Sequence, residues 1–139
     1  MANVCRMSHD LVRFVVKGAD LKAGGSWKLV PTSSAARLFV PVHLHVIIAT
    51  KTGSQTTSIT PNAWGNASTK DNASGTVTIP PASAVGTLYS WDAGIVAAGY
   101  DCSSSNGAGG GFWFKAAGGG GVGLTALTGD IHCVGYYVT

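Results

Sequence analysis

Residues 37–50 read Arg37-Leu-Phe-Val-Pro-Val-His-Leu-His-Val-Ile-Ile-Ala-Thr50, the longest apolar, β-branched run in the chain. Val, Ile and Phe pack well on a pleated surface, so this composition predicts a strand. From Val42 onward the residues alternate, with Val42, Leu44, Val46 and Ile48 on one face and His43, His45, Ile47 and Ala49 on the other. A period of two is what a strand with one strongly buried face requires. Pro41 has no backbone N–H to donate and marks a strand start, a bulge or a bend. The run is expected to be the central strand of an all-β domain, with enough length to serve two sheets.

Outward from this strand the same alternation recurs in shorter pieces. Leu11–Lys17 places Val12, Phe14 and Val16 on one side and Arg13, Val15 and Lys17 on the other, a half-buried strand. Gly18–Gly25 reads as a loop, or at most one helical turn begun at Asp20. Trp27–Val30 is a short strand with Trp27 and Leu29 inward and Lys28 outward, and Pro31–Ser34 turns the chain. Gln55–Thr60 is expected as an exposed strand and Pro61–Ser74, which contains Trp64, as a long surface loop. Gly75–Ile79 alternates again, with Val77 and Ile79 inward. Thr87–Trp91 and Ile95–Tyr100 are short strands or irregular crossings. Two glycine runs, Asn106–Gly111 and Gly118–Gly121, bracket Phe112–Ala117, an aromatic strand that either buries one face in the core or adapts Phe112, Trp113 and Phe114 to a neighbour. Val122–Leu127, a turn at Thr128-Gly-Asp130, and Ile131–Val138 are expected to form a closing hairpin. No fixed-period repeat is present.

The whole is expected to be one antiparallel β-sandwich domain over residues 11–139 with an arm at residues 1–10, a jelly roll being the preferred form. At 139 residues the chain can bury a single core. It is 45% hydrophobic and 11% charged, with 20 glycines and no glutamate, against ~25% charged residues in an ordinary soluble chain. Such a surface invites cover by a partner. The charge is uneven: Arg6, Arg13, Lys17, Lys22, Lys28, Arg37 and Lys51 against Asp10 and Asp20 leave residues 1–60 at +5, and the remainder stands at −2. The basic residues are dispersed along strands without the dense stripe of a nucleic-acid surface. They read either as solvated strand faces or as contacts with an acidic protein surface.

Cys5, Cys102 and Cys133 are odd in number and widely spaced, which points to free or buried thiols in a reducing cytoplasm. Met1–Arg6 lacks an apolar signal core, and no apolar run approaches the ~20 residues of a membrane span. Synthesis in the cytoplasm, with no membrane partner, is the expectation.

Chemistry-bearing patterns are sparse. His43-x-His45 offers two imidazoles on one strand face, without an acidic or cysteine ligand nearby in sequence. His9-Asp10 and Asp130-x-His132 are the other His/Asp pairs. No serine sits in a Gly-x-Ser-x-Gly elbow, and the glycine runs match neither a phosphate-binding loop nor a dinucleotide fingerprint. No enzyme activity, metal or cofactor is expected.

Leu29-Val-Pro31, a small-residue turn and Arg37-Leu-Phe-Val-Pro-Val-His-Leu-His-Val46 resemble the opening of small proteins encoded among tailed-phage head genes. The ending Leu127-Thr-Gly-Asp-Ile-His-Cys-Val-Gly-Tyr-Tyr-Val138 resembles the closing turn and Tyr-containing strand of the same group. The resemblance, over roughly residues 11–60 and 122–139, is to the jelly-roll cementing (decoration) proteins of short-tailed phages, such as those infecting Bordetella. The turn at Thr32–Ala36 lacks that family's Gly-rich form. The resemblance implies a non-enzymatic virion protein on the capsid's outer surface. It would clamp neighbouring capsomers against packaged-DNA pressure, with the major capsid protein as partner and a homo-oligomer, dimer or trimer, as the working form. Contact candidates are the arm, Arg6, Arg13, Lys17, Lys28, Arg37, the 61–74 loop with Trp64, and Trp113. Two other readings stand beside it. One is a tail or fibre module that stacks a host glycan on Trp64, Trp91 and Trp113. The other is a small hydrolase using His43, His45 or His132.

Overall fold

The run quoted first forms a strand longer than its alternating segment. In a computed structural model that describes residues 10–31, 38–64, 73–91, 100–102, 111–116 and 118–138 (63–64, 73–74 and 100–101 by backbone alone), it spans Leu38–Gly53 as β3. Its partner is another long strand, β9, Leu124–Val138. The two run antiparallel from Leu38 opposite Val138 to Gly53 opposite Leu124. β1, Val12–Asp20, flanks β9 on its other side, and the short β6, Leu88–Ser90, and β7, Tyr100–Asp101, both pair with β3. The first sheet therefore runs β1-β9-β3-β6. The second consists of β2 (Ser26–Val30), β8 (Phe112–Lys115), β4 (Asn62–Trp64) and β5 (Ala73–Thr76), in the order β2-β8-β4-β5. The protein is all-β, two antiparallel sheets facing each other as a β-sandwich.

The core lies between the sheets. Phe14 and Val16 from β1, Leu44, Val46 and Ile48 from β3, Ile131 and Cys133 from β9, Leu29 and Val30 from β2 and Phe112 and Phe114 from β8 all contribute. Phe39 of β3 joins the layers: its ring lies 6.1 Å from that of Phe112 in the opposite sheet, and it meets Phe14 and Tyr137 edge-on at 5.9 and 5.5 Å. Edge-to-face contact sets the positive ring edge against the negative ring face and adds to the gain from burial. Of the three cysteines, Cys102 and Cys133 are buried free thiols. Burial, with Cys102 beside it, pushes the Cys133 thiol up to about 12, so it is protonated and inert at neutral pH.

Several segments depart from expectation for identifiable reasons. Val42 is 43% exposed, because the register slips between Pro41 and His43. The bulge inserts one residue and rotates Val42 out while Phe39, Val40 and Pro41 stay buried. Gln55–Thr60 is no strand, and Gln55 is buried. Its amide donates to the Thr57 and Ile79 carbonyls and its oxygen accepts from Ser83, which also receives Lys51. Ile59 contributes one isolated bridge, to Ile79. Of the expected 61–74 loop, residues 62–64 and 73–74 are strand, with β4 paired to β5; 65–72 lie outside the described residues. β1 extends past Lys17 to Asp20, whose carboxylate receives the Lys22 and Ala23 N–H groups. The arm at 1–9, the turn at 32–36 and most of the crossing at 95–100 also lie outside the described residues.

The expected closing hairpin does not form, since Thr128-Gly-Asp130 runs straight through the middle of β9. Its glycine is there for space. A Cβ on Gly129 would sit 2.6 Å from Val46 Cγ1 and 2.9 Å from Leu21 Cδ1. Gly135 is tighter still: a Cβ there would lie 2.3 Å from the Val40 carbonyl and 2.4 Å from Phe39 Cζ. Gly135 is thus the floor on which the inter-sheet Phe39 ring rests. Replacing Gly135 with Ala must displace backbone as well as ring. The expected cost is about 1–3 kcal/mol, read as a lower urea midpoint at unchanged slope. Val122→Ala, at a fully exposed position, should stay within ~0.5 kcal/mol of the parent.

Candidate partner-binding faces

A strand sends alternate residues to opposite faces, and residues directly opposite on paired strands share a face. The register therefore assembles the outer surface of the first sheet from residues far apart in sequence. Arg13 lies opposite Val134, which lies opposite His43. Val15 lies opposite His132, His132 opposite His45, and His45 opposite Ser90. In the next row Asp130 lies opposite Ile47, and Ile47 opposite Leu88. Lys17 reaches Asp130 with its Nζ at 3.3 Å. Asp20 lies opposite Thr128, so three histidines, two basic residues and two carboxylates of the described residues occupy a single face.

The histidines form one cluster. The His43 and His45 rings are 5.0 Å apart and tilted; His45 and His132 are 4.7 Å apart and stacked, with 13° between their planes. Stacked rings hold their in-plane lone pairs parallel, so the nitrogens do not converge on a common point. Among the described residues no group of three or more His, Cys, Asp or Glu side chains is arranged to hold a metal ion. Nδ1 of His45 and Nδ1 of His132 are both buried without a hydrogen-bond partner. A proton placed there would be an unsatisfied buried donor, which disfavours the doubly protonated ring. Burial, followed by the neighbouring His132, His43 and Arg13, holds His45 below its ordinary value. Burial likewise leads for His132, then Arg13 and Lys17, with Asp130 acting in the opposite sense.

Asp130 is engaged elsewhere. It accepts the Gly18 N–H at 2.9 Å and the Lys17 ammonium. The Gly18 bond above all keeps its carboxyl below the usual range, against the effect of desolvation. The Lys17 pair is solvent-exposed and contributes little to stability.

The second sheet carries a different surface. Lys28 lies opposite Trp113, and the Trp64 backbone lies opposite Trp113 on the other side. Lys28 Nζ sits 5.1 Å from the Trp113 ring centre, a cation–π contact. Phe112 and Phe114 point the opposite way into the core, so the aromatic strand buries one face.

The candidate contact residues are consequently divided. Arg13 and Lys17 belong to the outer face of the first sheet, and Lys28 and Trp113 to that of the second. Arg6 and Arg37 lie outside the described residues. His132, paired in sequence with Asp130 and named with His43 and His45 only in the hydrolase reading, joins those two histidines through cross-strand register. No known protein family, curated protein or solved structure matches the chain.

The imidazole cluster makes stability sensitive to acid. His45 and His132 bind protons less readily folded than unfolded, where the value is ~6.5. The unfolded chain therefore takes up more protons below that pH, and stability falls as pH drops through ~6.5 toward the lower folded values. Histidine C–H resonances followed by NMR should show both rings titrating below a free histidine, and Arg13→Gln should raise both midpoints.

Proposed function

We propose that the chain is a non-enzymatic cementing protein of a phage capsid, built as a jelly roll and bound to the outer surface of the shell. The supporting observation is the way its strands are paired. β1 pairs with β9, β2 with β8, β3 with β6 and β7, and β4 with β5. These pairs are nested in sequence, as in one long antiparallel ribbon rolled upon itself. With β6 and β7 taken as two parts of one strand, the rolled ribbon yields the two four-stranded layers of a jelly roll. The segments that resemble the cementing family, 11–60 and 122–139, supply β1, β2, β3 and β9, of which β1, β9 and β3 are adjacent.

Such a protein works by bridging. Its sandwich has two outer faces, each with basic residues set among apolar and small polar ones, and these can meet two neighbouring capsomers or a capsomer and a second copy of the chain. Linked weak contacts at repeated sites reach high avidity without any single strong one. Lateral bridges of this kind would resist the outward load of packaged DNA. The alternative of a glycan-binding tail or fibre module has less support, because Trp113 already carries Lys28 over its ring.

The test is co-sedimentation of the purified protein with heads of its source phage prepared without it. Saturable binding at a fixed ratio to the major capsid protein is expected, and it should weaken with added salt. Neutralising Arg13 and Lys17 together, or Lys28, should lower the bound fraction. Absence of binding to both immature and expanded heads would exclude the role.

A further inference from the structure

The outer face of the first sheet is balanced in charge, but its charges are sorted along the strands. β1 turns Arg13, Val15, Lys17 and Asp20 outward, all of them exposed. Lys17 is paired with Asp130 in the middle of the face, and burial holds His45 and His132 below their ordinary values and neutral. What remains is a cation at one end and a carboxylate at the other. Arg13 lies opposite Val134 and Asp20 opposite Thr128, three outward positions further along β9. At ~6.7 Å per outward position the two are about 20 Å apart, well beyond the ~8 Å over which salt screens charges. Among the described residues neither is ion-paired. Asp20 uses Oδ1 to accept the Lys22 and Ala23 N–H groups. Asp10, ahead of the strand, is in the phase of the inward Phe14 and Val16 and makes no ion pair with Arg13.

We propose that this face pairs with the same face of a second copy, about a twofold axis that lies in the interface and crosses the strands at right angles. Such an axis lays β1 antiparallel over β1 of the second copy, and each position meets the one equally far beyond the axis. Arg13 of either copy then meets Asp20 of the other, so one kind of contact forms twice, as a closed twofold interface requires. His132 comes against Asp130 of the second copy, and the exposed Val15 and Leu88 are covered in the inner rows. An axis along the strands would instead set β1 over β6, Leu88–Ser90, which carries no charge, and would leave Arg13 and Asp20 unmatched. The charge pattern thus selects both the occupant and its direction.

The size of the face sets the strength of the pair. Four rows by four strands, at ~6.7 Å and ~4.8 Å, cover about 400–500 Å² on each copy. About 1,000 Å² in total is the scale of weak, reversible association. The inference stands apart from the shell-binding reading. Where both hold, the outer face of the second sheet, with Lys28 and Trp113, is left to meet the shell.

The experiment is sedimentation equilibrium of the full chain over a range of concentrations reaching the millimolar, with NMR shifts followed on dilution. A reversible equilibrium that stops at the dimer is expected, weakened by added salt, with shifts confined to β1, β3, β6 and β9. Arg13→Asp and Asp20→Arg, each checked for fold by circular dichroism, should weaken self-association about tenfold or more, because both contacts become like-charged. Mixing the two variants in equal amounts should restore a dimer, since every introduced charge then faces an opposite one. If Asp20→Arg disturbs the fold, Asp20→Asn keeps the oxygen that accepts the two N–H groups and should weaken association about threefold. Lys28→Asp, on the other sheet, should leave it unchanged. A monomer at every concentration, assembly beyond the dimer, shifts on the second sheet, or a mixture no better than its separate, folded components would overturn the proposal. A monomeric protein that still binds heads removes the dimer and leaves the cementing role standing. A dimer that passes the mixing test and ignores heads supports this face and removes the cementing role.

Discussion

The antiparallel ladder between β3 and β9 is the constraint on which the rest depends. It holds from Leu38 opposite Val138 to Gly53 opposite Leu124, and every other strand of its sheet attaches to one of these two. The ladder is interrupted by slips at Pro41/His43, Ile48/Thr50 and Thr52/Gly53. Each slip is a local change of which side chain faces inward. The first turns Val42 to solvent, and the alternation resumes at His43 in the phase that puts His43 and His45 outside together.

Close approach between the layers depends on that same ladder. Gly129 and Gly135 lie on β9 where Val46, Leu21 and Phe39 press against its backbone. A side chain at either position would separate the strand from the residues that fill the core. Phe39, resting over Gly135 and reaching Phe112, ties the two sheets at one end, and the Gln55–Ser83–Lys51 hydrogen bonds fasten the loop around residues 79–87 to β3 at the other. Core packing and the composition of the outer face are therefore set by one register. Moving it by a single residue would exchange the histidine cluster for Leu44, Val46, Ile131 and Cys133.

Much of the fold was legible locally. The alternation in residues 12–17, 44–48 and 77–79 and the burial of Phe112 and Phe114 follow from period-two patterning, because burial of one sheet face imposes that pattern directly. The failures also have physical causes. Thr128-Gly-Asp130 has turn composition, yet the glycine serves a long-range contact that sequence cannot distinguish from a turn. Gln55 is polar and reads as exposed, and it is buried because acceptors and donors from 57, 79 and 83 converge on it. Asn62–Trp64 has no alternating apolar signal and becomes strand by pairing with β8 and β5.

By itself the sequence determined the all-β class, the central strand, the inward faces of its stronger strands, and a surface poor in charge with most of its basic residues in the first half. These are consequences of side-chain chemistry and a two-residue period, both local. Only the tertiary structure decided that β9 is one unbroken strand, that Arg13 and Lys17 lie on a different outer face from Lys28 and Trp113, and that His132 stacks on His45. Those outcomes depend on which strand pairs with which and in what register. The free energy that selects them comes from contacts between residues such as Val12 and Gly135, too distant along the chain for any local pattern to encode.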